Sequence, residues 1–132
     1  MELTILMVVE YGLSDFNKSG YNGLMVYSNG YKTIDSPTKY STGKIYSLSG
    51  SYDGKQAVFY ENGKKYTKSI NSPMTYDDDT IYILAGNPGG ATCDFDNAKE
   101  KIYSVRIYNR ALTDEEVLQN YETDKINFSF KD

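Results

Sequence analysis

The chain opens on "MELTILMVVEYG", in which Leu3, Ile5, Met7 and Val9 are apolar in alternate positions and Leu6 and Val8 fill the gaps between them. Alternation marks a strand, and apolar residues on both of its faces mark one that is covered on both sides. The run is too short to cross a bilayer and Glu2 stands where a signal peptide carries positive charge, so no membrane insertion is expected. A central strand this early in the chain suggests either that earlier strands precede Met1 or that they come from another molecule.

Beyond this strand the pattern is one of short alternating segments cut by turn dipeptides. Asn22-Gly23, Asn29-Gly30, Asp53-Gly54 and Asn62-Gly63 are each the pair favoured in a two-residue hairpin, where both central residues take positive φ. In "AVFYENGKKY" a turn at Asn62-Gly63 sets Glu61 opposite Lys64, Tyr60 opposite Lys65 and Phe59 opposite Tyr66. An ion pair and an aromatic pair then fall on matching positions. Strand 44–52 feeds this hairpin and gives a three-stranded meander. Segments 80–86 and 100–108 supply further strands. The connections 14–22, 35–43, 71–79 and 86–98 are rich in Gly, Pro, Ser, Asn and Asp and belong on the surface.

One stretch breaks the period. In "RIYNRALTDEEVLQNY" Thr113 caps a helix, Glu116 reaches back to it, and Asp114 and Glu115 sit at the positive end of the helix dipole. Val117, Leu118 and Tyr121 fall on one side. A helix of about nine residues is marginal alone in water, so this side is expected to dock on the sheet beside strand 100–108. The tail "KINFSFKD" alternates Ile126, Phe128 and Phe130 and reads as a last edge strand.

Composition narrows the chemistry. The 132 residues suit one domain, and 14 tyrosines favour strands over helices. With a formal charge of −4 and no basic run longer than two residues, no nucleic-acid partner is expected. There is no histidine and one cysteine, Cys93, which removes a Ser-His-Asp triad, a Cys-His pair, a His- or Cys-ligated zinc and an internal disulfide. A retaining glycosidase needs two carboxylates about 5–5.5 Å apart, which on a strand means alternate acidic positions. Glu2, Glu10, Glu61, Glu100, Glu115, Glu116 and Glu122 form no such row, so no enzyme is expected.

"IYSLSGSYDGKQAVFYENGKKY", "IYILAGNPGG" and "KIYSVRIYNRALTDEEVLQNY" together resemble the second half of a laminin-G-like, concanavalin A-like jelly roll, and strand 3–11 resembles an early strand of that family. The resemblance implies an all-β fold: an antiparallel β-sandwich with one short helix near 113–121. It implies a domain over 1–123 that lacks its N-terminal strands, with 124–132 as an edge strand or a linker to a further domain. It also implies a non-catalytic binding module, extracellular or on a cell surface or virion, whose partner is a glycan or another protein. Pairing of a strand with another chain, or with a missing N-terminal segment, is expected with it. An architectural or protein-interaction module of a larger assembly, with no small ligand, is the alternative, and a piece of a glycoside hydrolase a more distant one.

Two sets of site residues follow. Sugar rings pack their C–H faces on aromatic rings, so Tyr21, Tyr27, Tyr31, Tyr40 and Tyr76, in or beside the loops, are candidate glycan contacts, set against the ordinary role of tyrosine in cross-strand pairs. Asp77, Asp79, Asp94, Asp96 and Asn97 offer hard oxygen ligands for calcium, set against the ordinary role of Asp and Asn in turns. Arg106 and Arg110 are expected to tie the last strand to carboxylates or backbone nearby.

Overall fold

The computed structural model describes residues 3–10, 20–27, 31–53, 55–70 and 101–131. Seven strands and one helix follow in order: β1 (Leu3–Glu10), β2 (Tyr21–Tyr27), β3 (Tyr31–Lys39), β4 (Ile45–Tyr52), β5 (Gln56–Glu61), β6 (Lys64–Ser69), β7 (Lys101–Tyr108) and α1 (Asp114–Phe128). The strands form an antiparallel sheet in the order β6-β5-β4-β1-β7 and a second, two-stranded ribbon of β2 and β3. The chain is thus an antiparallel sandwich closed by a C-terminal helix.

The expected meander is β4-β5-β6, and its hairpin has the register set by the charge and aromatic pairs: Glu61↔Lys64, Tyr60↔Lys65 and Phe59↔Tyr66. Asn62 and Gly63 adopt φ of 49° and 76°, the two positive values this tight turn requires. The tip is also fastened sideways. The Asn62 side-chain oxygen accepts from Ser47 N at 2.9 Å while Asn62 N donates to Ser47 O at 2.8 Å.

The other turn signals fare differently. Asn22-Gly23 lies inside β2, where the ladder shifts register between Tyr21 and Gly23. A Cβ on Gly23 would stand 2.5 Å from the Ile34 carbonyl oxygen, so glycine serves a close backbone approach at a bulge and not a turn. At Asp53 the loop is longer than two residues, since Tyr52 pairs with Ala57. The Asp53 carboxylate accepts from Lys55 N and Gln56 N at 2.8 and 2.7 Å, and those bonds hold it below the usual carboxylate range. Asn29-Gly30 and the segment 80–86 lie outside the described residues, although β2 and β3 on either side of the former do pair, with Tyr27 opposite Tyr31.

β1 is the central strand expected, with β4 on one side and β7 on the other. One expectation about the end of the chain is corrected. Residues 124–128 are helical and not an edge strand. The apolar alternation of Ile126 and Phe128 misleads because the helix is carried onward by a charged position: Val117, Tyr121 and Asp124, at helical spacing, are its buried residues. Phe128 sets its ring 5.5 Å from that of Tyr103 on β7. Ser129, with φ 53°, then ends the helix. Leu118, expected on the buried side, is half exposed.

Both faces of the large sheet are used. Ala57 and Phe59 join Ile34, Tyr52 and Ile70 in a cluster that includes Leu24, which places the β2–β3 ribbon on one face. Tyr60, next to Phe59 in the chain, points to the other face and donates to Asp114 of α1 at 2.5 Å. Tyr121 and Phe130 pack there with Ile45 and Phe128.

Gly63→Ala tests this docking. A Cβ there would meet Tyr121 Cδ1 at 2.9 Å as well as suffering the positive φ, whereas Gly43, with φ of 77°, has nothing within 4 Å. Urea unfolding should show Gly43→Ala costing about 1 kcal/mol and Gly63→Ala clearly more, of order 2–3 kcal/mol. Equal losses would mean that Tyr121 does not sit against the turn.

Candidate functional site

The candidate tyrosines divide between the two ends of the β2–β3 ribbon. At one end Tyr21 pairs with Lys39, and Tyr40 N donates to Gly20 O at 3.0 Å, so Tyr21 and Tyr40 are brought together on either side of the ribbon's open end. Both are half-buried, and the Lys39 ammonium lies 5.8 Å from the centre of the Tyr21 ring. At the other end Tyr27 and Tyr31 are register partners. About six residues of strand, roughly 20 Å, separate the two ends, so the tyrosines do not form one row. Tyr76, and the proposed calcium ligands Asp77, Asp79, Asp94, Asp96 and Asn97, lie outside the described residues. Among the described residues no group of three or more His, Cys, Asp or Glu is placed to hold a metal ion.

A polar cluster sits between the layers near Tyr21. The Glu61 carboxylate, at the end of β5, accepts from Asn22 Nδ2 at 2.8 Å and from Ser36 Oγ at 3.1 Å. Asn22 and Ser36 are each 2 % exposed. Asn22 turns inward because the Gly23 bulge frees it from the regular alternation. This cluster ties the ribbon to the meander and was invisible to hairpin logic, which assigned Glu61 only to Lys64 and Asn22 to a turn.

Three carboxylates of α1 are likewise engaged. Asp124, fully buried, receives two bonds from the Arg106 guanidinium, both at 2.7 Å. This fork holds Arg106 above its already high ordinary pKa. Asp114 accepts from Tyr60 at 2.5 Å and from Lys65 at 2.8 Å. Lys65 first and Tyr60 second hold the Asp114 carboxyl below its ordinary value, while burial, and then Asp114 itself, raise the Tyr60 phenol. Arg110 donates twice to Glu116 at 2.7 Å, and Glu116 closes the capping box by accepting from Thr113 N at 2.9 Å. Arg106 and Arg110 therefore do tie the last strand to carboxylates.

A profile described as the concanavalin A-like lectin/glucanases superfamily matches residues 10–118. The chain belongs to that superfamily. No curated protein sequence matches it. Among solved structures, a Trypanosoma rangeli sialidase mutant displaying trans-sialidase activity is similar at 17 % identity and TM-score 0.62, covering 99 % of this chain and 24 % of its own. A native heptameric SAP-like pentraxin from Limulus polyphemus is similar at 18 % identity and TM-score 0.52, over 89 % of this chain and 68 % of its own. A mutant of HCR/D is similar at 14 % identity and TM-score 0.59, over 93 % of this chain and 37 % of its own. At these identities the likeness is one of fold. The superfamily member described here spans about a quarter of the sialidase.

The clasp predicts an acid limb. Arg110, with the Thr113 amide second, holds Glu116 down at about 2, against an ordinary 4.5. A carboxyl whose folded value is depressed contributes stability that is present above its unfolded value and is lost as pH falls through the folded one. Melting temperature should therefore decline between about pH 4.5 and pH 2, and Glu116→Gln should flatten that decline while lowering the melting temperature at pH 7. An unchanged acid limb in Glu116→Gln would remove this carboxylate from the clasp.

Proposed function

We propose that the protein is a non-catalytic glycan-binding module, acting outside the cell, on a cell surface or on a virion. The observation that carries this is the match to a lectin and glucanase superfamily over residues 10–118, combined with the engagement of Glu61, Asp114, Glu116 and Asp124 in holding the fold together. A carboxylate that receives two bonds from a neighbour is poorly placed to trade a proton with a substrate. The contact surface in this reading is the open end of the ribbon, where the Lys39 ammonium lies beside the Tyr21 ring and Tyr40 is the next residue along the chain. Aromatic faces there would take the apolar side of a sugar, and phenol and ammonium groups its hydroxyls. The pentraxin and sialidase likenesses are of fold and leave the ligand open.

A second reading, a protein-interaction module, draws on Ile126 of α1, which is 79 % exposed, and on Leu118, 50 % exposed. No helix among the described residues is long and apolar enough to cross a membrane.

A polysaccharide panel in affinity electrophoresis checks the proposal. At least one polysaccharide should retard the protein without being shortened, and Tyr21→Ala/Tyr40→Ala should lose about tenfold in affinity, roughly 1.4 kcal/mol, while keeping its fold. Release of reducing ends by the purified protein would overturn the non-catalytic assignment. Absence of binding to any glycan, with association lost on Ile126→Glu, would favour the second reading.

A further inference from the structure

The charge of the chain is unevenly placed. Residues 20–70 contain seven lysines against Asp35, Asp53 and Glu61, a surplus of four positive charges, although the whole chain carries −4. Residues 71–132 hold six basic groups against twelve carboxylates. Lys32, Lys64 and Lys68 among these seven lysines belong to β3 and β6, each an edge strand among the described residues.

On β6 the alternate positions Lys64, Tyr66 and Lys68 share a face with Glu61, Phe59 and Ala57, their register partners, and so lie on the side toward the ribbon. Both lysines are exposed and Tyr66 is half-buried. The Tyr66 ring is backed by Phe59 at 6.1 Å between centroids, which fixes its plane, and the Lys64 ammonium lies 5.8 Å from its centre. Lys68 Nζ donates to the Thr33 carbonyl of β3 at 2.8 Å, using one of its three protons and bringing the exposed Lys32 beside it. The acidic groups closest in sequence and register accept from neutral donors, Glu61 from Asn22 and Ser36 and Asp35 from the Thr33 hydroxyl at 3.3 Å, and are outnumbered by the lysines of the segment.

We propose that this β3–β6 side, through Lys32, Lys64, Tyr66 and Lys68, binds an acidic polysaccharide whose sugars carry carboxylate or sulfate groups. It rests on the glycan reading and extends that site along β3 from the Tyr21–Lys39 end. Alternate residues of a strand stand roughly 7 Å apart along the backbone, so Tyr66 sits midway between two lysines whose backbone positions are about 13 Å apart. That spacing suits a polymer with one charge per sugar, an apolar ring face meeting Tyr66 while flanking charges meet Lys64 and Lys68. A duplex presents a charge every ~1.7 Å and would also meet the acidic remainder of the chain, which disfavours nucleic acid.

Affinity electrophoresis at low salt with polygalacturonate, dextran sulfate, neutral dextran and single-stranded DNA provides the test. Both acidic polysaccharides should retard the protein more than dextran and DNA do. Lys64→Gln/Lys68→Gln should weaken that binding by about tenfold, with melting temperature retained. Lys44→Gln/Lys131→Gln, which removes the same charge elsewhere, should leave it within about twofold. Equal weakening by the two pairs, or equal or stronger retention by DNA, would overturn the inference. Binding to neutral polysaccharide without preference for the acidic ones would overturn it while leaving the glycan reading standing; no binding to any polysaccharide would overturn both.

Discussion

β5 is the constraint on which the rest depends. Phe59 and Tyr60 are neighbours in the chain and both are buried, at 2 % and 5 % exposure, although a strand must send them to opposite faces. The strand is therefore stable only if both faces of its sheet are covered. The β2–β3 ribbon covers one through Leu24 and Ile34, and α1 covers the other through Tyr121 and Asp114. Each cover is fixed by a polar contact as well as an apolar one: Glu61 with Asn22 and Ser36 on the ribbon side, Asp124 with Arg106 on the helix side. The second of these carries a penalty if broken. Losing one partner of a buried pair costs about 3 kcal/mol or more, and somewhat less where, as for Arg106, a third of the side chain reaches solvent.

Much of this was readable from residues because local and global preferences agree. The Asn62-Gly63 hairpin combines a dipeptide that accepts positive φ with charge and aromatic pairs in one register, and the capping box at Thr113 and Glu116 marks the helix start without help from the rest of the fold. What could not be read depends on distant partners. Asn22-Gly23 obeys the same local chemistry as a turn, yet the Ile34 carbonyl and Glu61 make it a bulge. The helix runs past residue 121 because Arg106, eighteen residues away, neutralises Asp124, and an apolar-period argument stops at a charged position. Of the tyrosines, only the pairing of Tyr21 with Lys39 across the ladder reveals which sit together. The lysines of β6 had a readable signal in their alternation with Tyr66, obscured by a net charge that averages a basic segment with an acidic one.

The same division explains where binding is assigned. Asp114, Glu116 and Asp124 are engaged around the helix, and aromatic rings stand beside cations on the ribbon and on β6. A superfamily that includes lectins and glucanases offers both recognition and hydrolysis on one scaffold, and fold alone does not choose between them.

Native-state amide hydrogen exchange tests the central claim, that ribbon, sheet and helix stand or fall together. If β5 requires both covers, amides of β4, β5 and the interior of α1 should exchange at low denaturant with one shared free energy, that of global unfolding. Release of the α1 amides at a distinctly lower free energy, with those of β5 still protected, would show the helix to be an accessory and contradict the account.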